Sequence, residues 1–159
     1  MKPLRLTFLA CALAAVGCAS TPSNLNDDLI VRGKRIGEIE LGMPLSTLLT
    51  VKGAPIRTAP ITATSATTYT FPHGLTVGAD DKVYWIIAED ERFHTQEGVR
   101  PGVEQIFARA SMGKPRCVET RVETTVYDYG DVYFEVDNVD GRVERVGVIS
   151  QQRTCTGHG

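Results

Sequence analysis

An internal echo at a spacing of sixty residues is the strongest constraint on what this chain can fold into. The stretch from Leu41 to Pro55 and the stretch from Pro101 to Pro115 place Gly42 over Gly102, Gly53 over Gly113 and Pro55 over Pro115. Carried on without a gap, the same spacing pairs Tyr69 with Tyr129, Asp80 with Asp140, Lys82 with Arg142, Val83 with Val143 and Ile86 with Val146. Identity is sparse, but it falls at chain breakers and strand starts, where geometry restricts the residue. An internal duplication accounts for it.

Each copy is expected to open with a short helix. In the second, Val103, Ile106, Phe107 and Ala110 fall at i, i+3, i+4 and i+7, one apolar face. In the first, Leu45, Leu48 and Leu49 repeat this more briefly, with Pro44 suited to the first turn. Gly53 and Gly113 can take a left-handed C-cap, and the proline two residues on prevents continuation. Strands follow. Val118, Thr120, Val122, Thr124 and Val126 alternate with polar neighbours, as do Val132, Phe134 and Val136, and Val143 to Ile149 returns after the Asn138-Val139-Asp140-Gly141 turn. The first copy offers a Thr/Ala/Ser-rich pair ending at Tyr69-Thr70-Phe71, then Leu75-Thr76-Val77 and Val83 to Ile87. The expected class is therefore α+β: two tandem repeats of a short helix followed by an antiparallel meander, helices on one sheet face and the other face free.

The N-terminus reads as an export signal. Lys2 and Arg5 form a basic start, followed by an apolar run from Leu6 to Val16. The run Leu13-Ala14-Ala15-Val16-Gly17-Cys18 resembles the lipobox of bacterial lipoproteins. That resemblance implies a diacylglyceryl group on the Cys18 thiol, cleavage before it, and acylation of the new amino group. The alternative is an ordinary secretory signal cut near Ala14 or Ala19. Stable anchoring takes at least two acyl chains, since one binds marginally. Ala19 follows the cysteine where Asp commonly marks inner-membrane retention, so in a Gram-negative host the resemblance implies the outer membrane, facing the periplasm.

The expected organisation is a signal peptide over 1–17, a flexible tether over 18–28, a first helix-plus-sheet repeat over 29–92, a second over 93–150 and a tail over 151–159. Seventeen basic and 19 acidic residues give a net charge of −2. Loss of Lys2 and Arg5 leaves 15 against 19, or −4. Neither that balance nor any basic run favours binding to nucleic acid.

Motifs for catalysis are scarce. No GxSxG elbow, HExxH or phosphate-cradling glycine loop is present. His73, His94 and His158 stand at no ligand spacing and read as solvated loop histidines. Glu89, Asp90, Glu91, Arg92 and Glu97 around His94 read as an acidic linker. No catalytic residue, metal or cofactor is expected. Cys117 and Cys155 are candidates for a disulfide in an oxidising compartment. The alternatives are a free buried Cys117 or an intermolecular bridge. Tyr84 and Trp85 are adjacent on one strand and expected to point to opposite faces. One of them is thus the candidate for an exposed partner contact.

The pattern Leu41-Gly42-Met43, a short helix, Gly53-Ala54-Pro55 and Tyr69-Thr70-Phe71 resembles a unit of the SmpA/OmlA (BamE-like) lipoproteins. In tandem it is similar to the β-lactamase-inhibitor-protein fold. Phe93 to Gly102 resembles linkers that start such units. The resemblance spans about residues 36–150. It implies a non-enzymatic, lipid-anchored periplasmic scaffold that binds an envelope protein through an exposed sheet face. An inhibitor of a periplasmic or extracellular hydrolase is the alternative, and a small-ligand binder or enzyme the third.

Overall fold

The computed structural model describes residues 27–62 and 64–151. Their regular elements are twelve strands and two helices. In chain order they are β1 (Leu29–Val31), β2 (Arg35–Ile36), β3 (Ile39–Glu40), α1 (Leu45–Lys52), β4 (Arg57–Pro60), β5 (Thr67–Phe71), β6 (Leu75–Ala79), β7 (Val83–Ala88), β8 (His94–Thr95), α2 (Gln105–Met112), β9 (Cys117–Thr120), β10 (Thr124–Asp128), β11 (Val132–Asp137) and β12 (Val143–Ile149).

Eight strands form one antiparallel sheet in the order β4-β5-β6-β7-β12-β11-β10-β9. Two four-strand meanders join edge to edge along β7 and β12, with Ile87 opposite Gly147. A second sheet, β3-β2-β1-β8, pairs β1 in parallel with β8 through Leu29–His94 and Ile30–Thr95. This corrects the expected class. The fold is mainly β, with two sheets and two eight-residue helices among the described residues, and not two helix-plus-meander repeats. The small sheet draws strands from either side of the first meander, so it belongs to neither expected copy.

A spacing of sixty is nonetheless visible in individual hydrogen bonds. Gly42 N–H donates to the Val83 carbonyl at 2.7 Å, and Gly102 N–H to that of Val143 at 2.7 Å. Val83 N–H returns to Met43 and Val143 N–H to Val103. Gly53 and Gly113 both stop their helices at φ +76, each donating to the carbonyl four residues back. Between these points the correspondence slips. Tyr69 lies opposite Thr58 as Tyr127 lies opposite Val118, so the structural counterpart of Tyr69 is Tyr127 rather than Tyr129.

Alternation assigns the faces of the large sheet. Phe71, Val77, Ile86, Phe134, Val146 and Val148 point inward and are 0–1% exposed. The small sheet covers them with Ile30, Ile36 and Ile39, joined by Phe93 and Val99. The helices contribute one fully buried side chain each, Leu48 from α1 and Ala108 from α2. The predicted apolar stripe on α2 therefore faces the wrong way: Ile106 is 76% and Phe107 46% exposed. Small Ala108 lets the helix approach, while Gln105 hydrogen-bonds the Tyr127 hydroxyl and the Arg109 guanidinium sits 5.4 Å from the Tyr127 ring. The continuous alternation from Val118 to Val126 is also broken. A turn at 121–123 divides it into β9 and β10, leaving Val122 96% exposed.

Candidate functional site

The outer face of the large sheet, opposite the small sheet and helices, holds both aromatic candidates. They do not alternate. Ala79 pairs with Val83 but Gly78 pairs with Trp85, so β7 carries one extra residue, Tyr84, at a bulge. A bulge interrupts the two-residue period and lets neighbours project to the same side. The Tyr84 and Trp85 rings accordingly meet edge to face, with centroids 6.1 Å apart at 90°. Both are half-buried, which corrects the expectation that one faces the core and the other solvent. Strand β12 has the matching irregularity, since Val136 pairs with Val143 and Glu135 with Arg145.

Trp85 rests on a glycine. A β-carbon at Gly78 would fall inside the indole ring, and one at Gly147 would fall against the Tyr133 ring. These bare backbones let two large rings lie close to the sheet. Ile87 continues the outward row beside Gly147, and Thr76 lies across from it on β6.

Tyr84 also lines an open cleft of about 450 Å³ with Asp80, Lys82, Thr64, Ser65 and Ser150. The Asp80 carboxylate is occupied by the Lys82 backbone N–H at 3.1 Å, and the Tyr84 carbonyl by Ser150 N–H at 2.9 Å. On the other half of the face, Arg145 gathers Glu144 at 3.0 Å, Glu135 at 3.5 Å and Glu89 at 3.9 Å. Burial opposes its charge, but the three carboxylates outweigh that and hold its pKa above the ordinary guanidinium value. The cluster ties β11, β12 and the end of β7 together.

The remaining candidates are dispersed. Cys18, Cys155 and His158 lie outside the described residues. Cys117 opens β9, half-buried, and is disulfide-bonded; the second cysteine of that bond lies outside the described residues. Nearby on the outer face, Val126 and Tyr133 are only 2% and 5% exposed. His73 is exposed in the turn between β5 and β6. His94 belongs to β8 rather than to a linker, its Nδ1 3.0 Å from the Arg92 carbonyl oxygen. Glu91 pairs with Arg100 at 2.7 Å. Among the described residues no group of three or more His, Cys, Asp or Glu side chains is placed to hold a metal.

Sequence reasoning missed the outward apolar side chains of the helices and their loops: Leu49, Val51, Ile56, Ile106 and Phe107. A cleft of about 640 Å³ lies beside α2, lined by Ile106, Arg109, Lys114 and Pro115 among others. The available signal was charge. Lys52, Arg57, Arg109, Lys114 and Arg116 share those stretches with a single acid, Glu104.

No known protein family and no curated protein matches the chain. Among solved structures, the uncharacterized protein yfeY from Escherichia coli is similar at a TM-score of 0.55 and 9% identity, over 75% of this chain and 98% of that one. A cysteine-rich secretory protein from Staphylococcus aureus gives a TM-score of 0.49 at 14% identity, over 75% of this chain and 51% of that one. An extracellular protein containing an SCP domain from Bacillus anthracis gives 0.47 at 13% identity, over 69% and 43%. The chain thus spans about half the length of the secretory protein and less of the SCP-domain protein. The first of these likenesses shows a shared fold and nothing of activity. None of the three is a BamE-like or β-lactamase-inhibitor protein, so the resemblance read from the sequence gains no support. Among the described residues no helix is long and apolar enough to cross a membrane.

Proposed function

We propose that this protein is a lipid-anchored envelope lipoprotein that acts without catalysis, docking a protein partner on the outer face of its large sheet. The observation that carries the reading is the Tyr84–Trp85 ring pair beside Ile87. Rigid aromatics with a polar tip lose little side-chain entropy on binding and serve as contact anchors. Gly78 beneath Trp85 and the bulge at Tyr84 restrict the rings before a partner arrives. Acylated Cys18 would hold the domain at the membrane, on the periplasmic side of the outer membrane in a Gram-negative host.

A photo-crosslinking residue at Ile87, compared with one at Thr47 on α1, tests the docking face in cells. The reading expects one discrete adduct from Ile87, lost in Trp85→Ala or Tyr84→Ala. No adduct, or one unaffected by both substitutions, overturns it. A hydrolase as the captured protein would redirect the reading to inhibition. Acylation is tested separately: Cys18→Ala should abolish lipid labelling, and persistent labelling refutes the anchor.

A further inference from the structure

We propose that the helical side of the molecule is a membrane contact in its own right, with the apolar side chains around α1 and α2 resting on an anionic lipid surface. Seven large hydrophobic residues are exposed among the described residues. Five of them, Leu49, Val51, Ile56, Ile106 and Phe107, fall within 41–57 and 101–117. The other two, Val122 and Val139, sit on hairpin tips beside Glu123, Asp137 and Asp140.

Charge separates the two groups. The helical stretches hold five basic residues and one acid, a balance of +4 in a chain whose total is −2, so the rest of the chain carries −6. Arg57, Arg109 and Lys114 are exposed and have no carboxylate within ion-pair distance among the described residues. The one acid, Glu104, is occupied weakly by Arg142 at 3.9 Å. Lys52 is taken up by Glu38 at 2.9 Å and Arg116 by Asp128 at 3.0 Å, but the remaining three cations beside outward apolar side chains match a layer that presents anionic headgroups over acyl chains. An ordinary protein surface would intersperse both signs. The core does not account for these side chains either, since each helix fully buries only one residue. The open cleft beside α2 is lined by Ile106 together with Arg109 and Lys114, an apolar side chain sharing one cleft with two headgroup ligands.

This contact does not depend on acylation at Cys18, and it leaves the Tyr84–Trp85 face directed away from the bilayer. The two readings therefore fail independently.

The test uses the full mature chain with Cys18→Ser, so that no acyl chain contributes, in co-sedimentation with vesicles. Neutral phosphatidylcholine vesicles are compared with vesicles one-third phosphatidylglycerol, at low and high salt. The proposal expects binding to the anionic vesicles that falls about tenfold at high salt, since charge attraction is screened. It expects a loss of about tenfold in Arg109→Gln with Lys114→Gln, and a similar loss in Ile106→Ser with Phe107→Ser. Val122→Ser should bind like the parent. Val51→Ser on α1 with Ile56→Ser in the loop that follows it gives a second set, and circular dichroism checks that each variant is folded. No binding to anionic vesicles, equal binding to neutral ones, or retention in all the helix variants overturns the proposal. Capture of an acidic protein without vesicle binding overturns it as well.

Discussion

The Trp85 indole lies directly over the α-carbon of Gly78, its register partner on β6, where any side chain would overlap it. The backbone of Gly78 lies outside the left-handed region, so glycine is required by the ring and not by the dihedral angles. Gly78→Ala should therefore destabilise by overpacking, about 1–3 kcal/mol. Trp85→Ala should remove most of that penalty in a double-mutant cycle read by urea unfolding. Equal effects of Gly78→Ala in both backgrounds would show that the ring is not the cause.

How much of this arrangement the residues disclose depends on the signal each element carries. Strand β11 alternates clearly, and Val83, Val132 and Val143 start β7, β11 and β12 where expected. Periodicity also groups Ile106 and Phe107 correctly, yet a stripe carries no direction. Only the approach of Ala108 to the sheet reveals that the larger side chains point outward. The bulge at Tyr84 is invisible to a two-residue period, because one inserted residue changes the face without changing the composition. Strands β2, β3 and β8 have two residues each, too few to alternate, so the small sheet and the mainly β character of the fold remained hidden. The Gly78–Trp85 and Gly147–Tyr133 contacts are long-range in origin: each glycine is legible as a residue, but its partner depends on register.

His73 is the one described residue other than glycine with a positive φ, +64°, in the exposed turn between β5 and β6. The left-handed region costs an ordinary L-residue roughly 1–2 kcal/mol, less for Asn and nothing for Gly. His73→Asn and His73→Gly should raise stability by up to about 1 kcal/mol, and β-branched His73→Val should lower it. Thermal midpoints of the three variants check the order. A more stable Val variant would refute the strain.

The Arg35 guanidinium grips Asp27 through two bonds, at 2.7 and 2.9 Å, and this holds the Asp27 carboxyl below its ordinary value. A carboxyl whose pKa is lower in the folded state stabilises above its unfolded pKa, and that stability is lost as pH falls through the folded value. The effect should appear on the acid side, as pH falls below the ordinary carboxylate range. Asp27 is partly solvated, so its size should be only about 0.2–1 kcal/mol. Arg35→Gln should return the Asp27 titration, followed by NMR, toward the ordinary carboxylate range. An unchanged titration would mean that the ion pair does not form in solution.

The disulfide at Cys117 has a limited choice of partner. Cys11 lies in the expected signal peptide and Cys18 at the expected acylation site, which leaves Cys155. Closing a loop of 39 residues removes unfolded-state entropy worth about 4 kcal/mol in the chain-entropy model. Cys117→Ala should therefore lower stability markedly and release one thiol to alkylation. Peptide mapping without reductant should recover Cys117 linked to Cys155 in the parent. A Cys117 peptide linked to any other cysteine would refute the pairing.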